Sequence, residues 1–296
     1  MAVPVALVGP TASGKSDVAL AVARRLGDVE IVSVDSMQVY RGMDIGTAKP
    51  SAAERGEVPH HLLDVADPAE SFSVGAYQEL ARAALADIER RGRRALLVGG
   101  TGLYLSAVVD ELTLPGRFPE VAASLEAEPD TGVLHRRLAD LDPVAAARME
   151  PTNRRRIVRA LEVTVGSGRP FSTFGPGLEA YPPTRIRLVG IDIDRPTLDE
   201  RIAERYRRQL DAGFLDEVAA LRSRPEGWST TAAQALGYKE LALHLDGRCS
   251  LAGAVDLAER RTRTFARRQQ RWFRRDPRVT WVAPVGAEAA ILGCWT

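Results

Sequence analysis

The first sixteen residues constrain this chain more than any other stretch. Val3-Pro4-Val5-Ala6-Leu7-Val8 is an almost unbroken apolar run, the pattern of a strand buried on both faces. It leads directly into Gly9-Pro10-Thr11-Ala12-Ser13-Gly14-Lys15-Ser16, which fills every fixed position of G-x-x-x-x-G-K-[ST]. Asp17 to Leu26 then reads as a helix, with Val18, Ala19, Val22, Ala23 and Leu26 on its apolar stripe. Strand, glycine-rich turn and helix N-terminus in that order make an anion cradle. Backbone N–H groups turn inward at Gly9 and Gly14, and the helix terminus adds partial positive charge. Lys15 supplies a full charge, and the Ser16 hydroxyl is placed to hold Mg²⁺. The loop is therefore expected to bind a diphosphate or triphosphate.

Such a loop requires a sheet to sit on, and 296 residues are enough for a large core. The 45% hydrophobic and 27% charged content is that of a globular protein. No apolar run approaches the ~18 residues of a membrane helix, and the start lacks the layout of a signal peptide. Cys249 and Cys294 have no metal-site or disulfide-framework spacing, so a reducing cytoplasm is the expected setting. The net charge of +1 hides an uneven distribution: the only lysines are Lys15, Lys49 and Lys239, and arginine carries the rest.

Val29 to Val34 reads as a second strand, ending at Asp35. If it lies parallel to the first, Asp35 comes near the mouth of the phosphate loop. Asp35 to Pro50 is a loop, broken by Gly42, Gly46 and Pro50. His60 and His61 are adjacent, point in different directions and lack a third ligand, so a structural role is favoured over a metal pair. Ser73 to Arg90 is an amphipathic helix. Ala95 to Val98 is a third strand, and Gly99-Gly100-Thr101-Gly102 a second glycine-rich turn, with Thr101 facing the cleft. From Pro115 to Arg169 only helices are read, at 133–140, 143–149 and 153–165. The strand pattern returns at Ile186 to Ile193. Arg195 to Leu221 is read as one helix, Val255 to Arg275 as another, and Val279 to Val282 as a final strand. The expected fold is thus α/β: a doubly wound parallel sheet with a P-loop, formed by residues 1–115 and 184–296, with a helical insert over 116–183.

Charge then narrows the partner. Between Arg260 and Arg278 stand nine arginines and one acid, Asp276. Arg260, Arg263, Arg267, Arg271 and Arg274 fall on one helical stripe. After Glu259 no carboxylates at i,i+4 offset them, which favours a polyanion over a solvated face. Arg154, Arg155, Arg156 and Arg159 form a second basic face in the insert. Two such faces around a phosphate cleft point to a folded RNA. Asp35 is the candidate general base, with Mg²⁺ ligation or capping as its other readings. A nucleoside triphosphate in the loop would make the chain a small-molecule kinase. An RNA-stimulated ATPase also remains open, although the third strand ends in Gly-Gly-Thr where a hydrolase would carry its metal-binding Asp.

GPTASGKS (9–16), DSMQVYRGMDIGTAKP (35–50), VPHHLLD (58–64), VGGTGLYL (98–105), RRIVRALEV (155–163), GYKE (237–240) and RTFARRQQRWFR (263–274) occur together in this order. With these motifs the chain resembles the bacterial tRNA dimethylallyltransferase family, over nearly its whole length. The resemblance implies that dimethylallyl diphosphate and tRNA are the substrates, with Mg²⁺ as cofactor. The reacting group would be the adenosine immediately 3′ of the anticodon. It implies Gly9, Pro10, Thr11, Ala12, Ser13, Gly14, Lys15 and Ser16 at the diphosphate, Arg201 beside them, and Asp35 as the base. It implies tRNA contact by Asp35, Ser36, Met37, Gln38 and Thr101, with Gln38 on the edge of a flipped-out adenine. Arg155, Arg156, Ile157, Val158 and Arg159 would grip the anticodon stem-loop, beside Arg267 and Arg271. Ala122 stands where many relatives carry a basic contact, and no zinc finger of the eukaryotic kind is present. A cytoplasmic monomer is expected. An adenylate isopentenyltransferase is the sibling alternative.

Overall fold

The computed structural model describes residues 2–175 and 177–295. Its elements run in the order β1 (Val5–Val8), α1 (Lys15–Leu26), β2 (Val29–Val34), α2 (Ala52–Glu57), β3 (His60–His61), α3 (Val74–Arg90), β4 (Arg94–Gly99) and α4 (Gly102–Val109). Four helices follow: α5 (Pro119–Glu126), α6 (Thr131–Leu141), α7 (Pro143–Ala147) and α8 (Arg154–Ser167). The chain continues with β5 (Arg187–Ile191), α9 (Arg195–Asp211), α10 (Phe214–Arg222), α11 (Tyr238–Leu245), α12 (Leu251–Arg274), β6 (Val279–Val282) and α13 (Ala287–Gly293). Two compact units result, residues 1–110 with 183–296, and residues 111–182.

The first unit is built on one sheet of order β3-β2-β4-β1-β5-β6, parallel at every pairing. Parallel strands need cover on both faces, which is why Val5, Ala6, Leu7 and Val8 are all at most 1% exposed. A charged residue breaks this interior. Glu30 in β2 is buried, and Arg91, Arg93 and His61 surround its carboxylate. Hydrogen bonds from Arg91 outweigh the cost of burial and hold its pKa at about 2. His61 is thereby used structurally, 2.7 Å from Glu30. Among the described residues no group of three or more His, Cys, Asp or Glu side chains could hold a metal, and no helix is long and apolar enough to cross a membrane.

The second unit packs α5, α6, α7 and α8 around Leu125, Leu134, Leu138, Met149, Ile157 and Leu161. Asp130, Asp142 and Asn153 cap three of these helices by accepting backbone N–H groups.

Three departures from the sequence reading have local causes. The helix expected over 195–221 is two helices, because Gly213 adopts φ 94° and the chain turns there. The strand β3 consists of His60 and His61 alone, paired with Ile31 and Val32; two residues show no periodicity to read. The short helices α2 and α5 begin at a Ser51 capping box and at Pro119, signals that the alternation of loop residues obscures.

At Gly99 the edge of the sheet is tightest: a Cβ built there would lie 2.0 Å from the Val34 carbonyl oxygen of β2. Gly99→Ala is therefore expected to destabilise the protein by ~1–3 kcal/mol through overpacking. The urea midpoint should fall with an unchanged slope, and an unaltered midpoint would show that β2 yields freely.

Candidate active site

In this strand order the loops after β1, β2, β4 and β5 leave the sheet along its carboxyl edge, and the glycine-rich loop 9–16 opens from the middle of it. Gly14 caps α1 in the left-handed region at φ 90°, and Ala12 is held there too, at φ 62°. For an alanine that is a strained conformation, of the sort found at ligand clamps. Lys15 is buried; its Nζ donates to the Pro10 carbonyl at 2.6 Å and reaches Ser13 Oγ at 3.5 Å. Burial pushes its pKa down to about 8, with the Asp35 charge opposing and Arg205 adding to the shift. Ser16 is exposed, and its hydroxyl makes no hydrogen bond among the described residues. Mg²⁺ keeps several waters and leans on substrate phosphates, so one free hydroxyl beside an anion loop fits that ion.

Two helices strap the loop. Arg201 of α9 donates from Nη1 to the Ser13 carbonyl at 3.3 Å. One turn further, Arg205 donates to Thr11 Oγ1 at 2.7 Å and to the Gly46 carbonyl at 3.1 Å. No carboxylate is paired with Arg205 among the described residues, and burial lowers its pKa while the Asp35 charge works against that shift. From α12, Gln269 accepts the Thr11 N–H at 2.8 Å.

Asp35 begins the next loop. Its Oδ1 accepts the N–H groups of Met37 at 2.8 Å and Gln38 at 3.4 Å, which leaves Oδ2 free of protein donors among the described residues. Thr101 Oγ1 accepts the Ser36 N–H at 3.1 Å, so the second glycine-rich turn is tied to the Asp35 loop. The Gln38 amide is engaged within the protein. It accepts from Ser33 Oγ at 2.8 Å and donates to the carbonyls of Thr47 and Ala48, both at 3.2 Å. Met37 is partly buried and packs against the apolar cluster that includes Leu198 and Ile202. Lys49, the second of the three lysines, is spent on the loop itself, bonding Tyr40 O at 2.5 Å, Asp44 at 2.7 Å and Asp64 at 2.5 Å. Glu217 of α10 accepts the N–H groups of Asp44, Ile45 and Gly46, at 2.9, 2.7 and 3.1 Å.

The arginine stripe of α12 divides once contacts are counted. Arg260 pairs with Asp256, Arg263 with Glu259, and Arg274 with Asp192 while lying over Trp281. Arg267 meets only Thr264, and Arg271 has no partner among the described residues. Those two are the uncompensated charges of the five. In the second unit, Arg155 and Arg156 are exposed and have no ion-pair partner among the described residues. Arg154 instead caps α5 by donating to the Glu126 and Glu128 carbonyls, and Arg159 is held by Glu162 and the Pro115 carbonyl. Ile157 and Val158 are 0% and 5% exposed, so their side chains support the helix from below. Their side chains offer no surface to an RNA.

The sequence reading passed over Arg205, Gln269 and Glu217. Arg205 follows Arg201 by four residues, one turn on the same face, which was the available signal. Gln269 and Gln270 stand as two uncharged residues inside an arginine run. Glu217 had no signal.

A buried lysine and a half-buried arginine above a phosphate loop, neither paired with a carboxylate among the described residues, beside Asp35 and an arginine-bearing helix, define a diphosphate-handling α/β protein of the P-loop kind. A family model described as IPP transferase matches residues 38–276, and one described as isopentenyl transferase matches residues 3–65. The chain belongs to the IPP transferase family. It is 49% identical over 287 residues to the tRNA dimethylallyltransferase of Streptomyces avermitilis, covering 96% of this chain and 91% of that one. To the Streptomyces coelicolor tRNA dimethylallyltransferase it is 50% identical over 282 residues, covering 94% and 89%. The crystal structure of the full-length tRNA isopentenylpyrophosphate transferase from Bacillus halodurans superposes with a TM-score of 0.72 at 38% identity, over 100% of this chain and 97% of that one.

The low pKa of Lys15 makes anion binding depend on pH. Only charged Lys15 attracts a diphosphate, so affinity should be level below about pH 8 and fall by up to about tenfold per unit above it. Titration calorimetry with dimethylallyl diphosphate from about pH 7 to about pH 9.5 reads this, and Lys15→Arg should flatten the fall. In the free protein the sign is opposite. Above about pH 8 the unfolded chain binds more protons at this lysine, so its cost to stability is relieved as pH rises towards 10.5.

Proposed function

We propose that the chain transfers the dimethylallyl group of dimethylallyl diphosphate to N6 of the tRNA adenosine immediately 3′ of the anticodon, releasing diphosphate. The observation that carries this reading is Asp35: a carboxylate with one oxygen free, whose charge acts on both Lys15 and Arg205. An acceptor for a proton thus stands beside two cations with an unmet demand for an anion.

Lys15, Arg205 and the N–H groups of loop 9–16 bind the diphosphate, with Arg201 flanking them. Their hydrogen bonds strengthen as the allylic C–O bond breaks and negative charge gathers on the leaving oxygen, each worth ~1.5–3 kcal/mol. Ser16 would hold Mg²⁺ together with the diphosphate oxygens, and the ion supplies neutralisation of that charge. The adenine amine is a poor nucleophile because its lone pair is delocalised into the ring. As N6 bonds to the allylic carbon, Asp35 Oδ2 takes the N6 proton and diphosphate departs. Ser36, Met37 and Thr101 border the base, and Gln38 meets the adenine edge once its hold on Thr47 and Ala48 is exchanged for it. Arg267 and Arg271 on α12, and Arg155 and Arg156 on α8, grip RNA phosphates. Cytoplasmic action on tRNA fits the two cysteines, which stand free.

Incubation with labelled dimethylallyl diphosphate and unmodified tRNA, AMP or ATP separately tests the reading. Transfer to tRNA alone is expected. Transfer only to AMP or ATP would move the chain to the adenylate-modifying sibling, and phosphorylation of a small molecule would make it a kinase. Asp35→Asn should lower the transfer rate by ~10²–10⁴-fold and leave the tRNA Kd within about threefold. A large loss of tRNA binding would reassign Asp35 to RNA contact. Replacing Arg267 and Arg271 by Gln should reduce the log–log salt slope of tRNA binding by ~0.7 for each lost single-strand phosphate contact. An unchanged slope would make that face plain surface.

A further inference from the structure

Gln269 lies on the basic helix α12, yet it is 7% exposed and faces inward. Its Oε1 accepts the Thr11 N–H at 2.8 Å, and its Nε2 donates to the Gly100 carbonyl at 2.9 Å. The two partners fix the amide orientation, since an N–H needs the oxygen and a carbonyl needs the nitrogen. One side chain therefore bridges the phosphate loop after β1 and the glycine-rich turn after β4. The fit is close: a Cβ at Gly100 would lie 2.2 Å from Gln269 Nε2.

The helix is locked on both sides of this bridge. Gln270 donates to the Ile193 carbonyl beyond β5 at 3.2 Å, Thr262 bonds the Tyr206 hydroxyl at 2.8 Å, and a Cβ at Gly102 would lie 2.3 Å from Trp272 Nε1. Arg267 and Arg271 stand two residues to either side of Gln269, ~200° round the helix. One face of α12 thus carries the unpaired arginines, and the other holds the two turns.

We propose that Gln269 is a positioning residue for the diphosphate site: by tethering Thr11 to Gly100 it sets the separation of the phosphate loop from the turn that carries Thr101. Thr101 in turn holds the Ser36 N–H at the start of the Asp35 loop. Gln269 so places the leaving group against the base without touching either. Arg205 grips the same Thr11 through its hydroxyl, which leaves the N–H of that residue to Gln269 alone.

This inference rests on the transferase reading, and the test separates the two. Wild type, Gln269→Met and Gln269→Glu are compared for inorganic pyrophosphate Kd, for KM of dimethylallyl diphosphate and kcat with tRNA, and for tRNA Kd. Methionine keeps the length and packing but neither hydrogen bond. It is expected to weaken pyrophosphate and raise KM by about tenfold, with the tRNA Kd within about twofold. Glutamate keeps the acceptor for Thr11, loses the donor to Gly100 and adds a negative charge, so its loss should be larger. Values of pyrophosphate Kd and KM within about twofold of wild type in Gln269→Met would overturn the proposal. So would a parallel loss of tRNA affinity, which indicates general damage to α12. If Gln269→Met melts below the assay temperature, Gln269→Glu decides by the same criteria. A wild-type protein that binds pyrophosphate but alkylates no tRNA would overturn the transferase reading while the pyrophosphate comparison still judges Gln269.

Discussion

A desolvated ammonium at the end of a buried strand is the constraint on which this structure depends. Lys15 is taken out of water and, among the described residues, is met by a proline carbonyl and a serine hydroxyl, neither of them charged. Such a placement costs stability, which is why the lysine sheds its proton well below its ordinary range. Arg205 repeats the arrangement nearby. Two partly desolvated cations without a carboxylate in contact form a site that an anion completes. The strain at Ala12 is held in place by the same surroundings, with strands on one side and α9 on the other.

A set of polar residues distant in sequence holds the loop that borders that site. Glu217 gathers three consecutive N–H groups of the 44–46 segment, and Tyr238 donates to it at 2.5 Å. Gly46 then offers its carbonyl to Arg205 and Gln209. From α10 to the phosphate loop the connection is a chain of hydrogen bonds made by residues far apart in sequence. Lys49 closes the other side of the same loop through Asp44 and Asp64. Of the three lysines in the chain, one faces the anion site and one is a buried strut. The rarity of lysine was therefore a poor guide to role.

The legibility of the fold followed the range of the interactions that build it. The strands at 29–34 and 279–282 were readable to the residue, because each is a short run rich in β-branched residues bounded by turn residues. The phosphate loop was readable because its fixed residues are local. Gly213 was not: Leu210, Leu215 and Val218 keep a helical period across it, and only the backbone conformation breaks the helix. Arg205 and Gln269 lie 194 and 258 residues from Thr11, so nothing near either in sequence could announce the contact. Ile157 and Val158 illustrate the converse. They sit within a basic motif, and only packing shows that their side chains turn inward.

The same physics explains why a loop of the kind that commonly holds nucleoside triphosphates fits carbon chemistry here. Phosphoryl transfer requires charge neutralisation around the phosphorus under attack, with metal-binding carboxylates close by. In this chain the strand β4 ends at Gly99 with no carboxylate, and the carbonyl of the following Gly100 accepts from Gln269 Nε2. Asp35 is bound through one oxygen only and leaves the other open among the described residues, an arrangement suited to taking a proton more than to enclosing an ion. Cations gathered at the leaving group, with Asp35 at the end of β2 and β4 between that strand and the phosphate-loop strand, suit the proposed division of labour in an alkyl transfer. In the proposed reaction the anion site pulls on the diphosphate while Asp35, across β4 on the same edge of the sheet, takes the proton of the nucleophile.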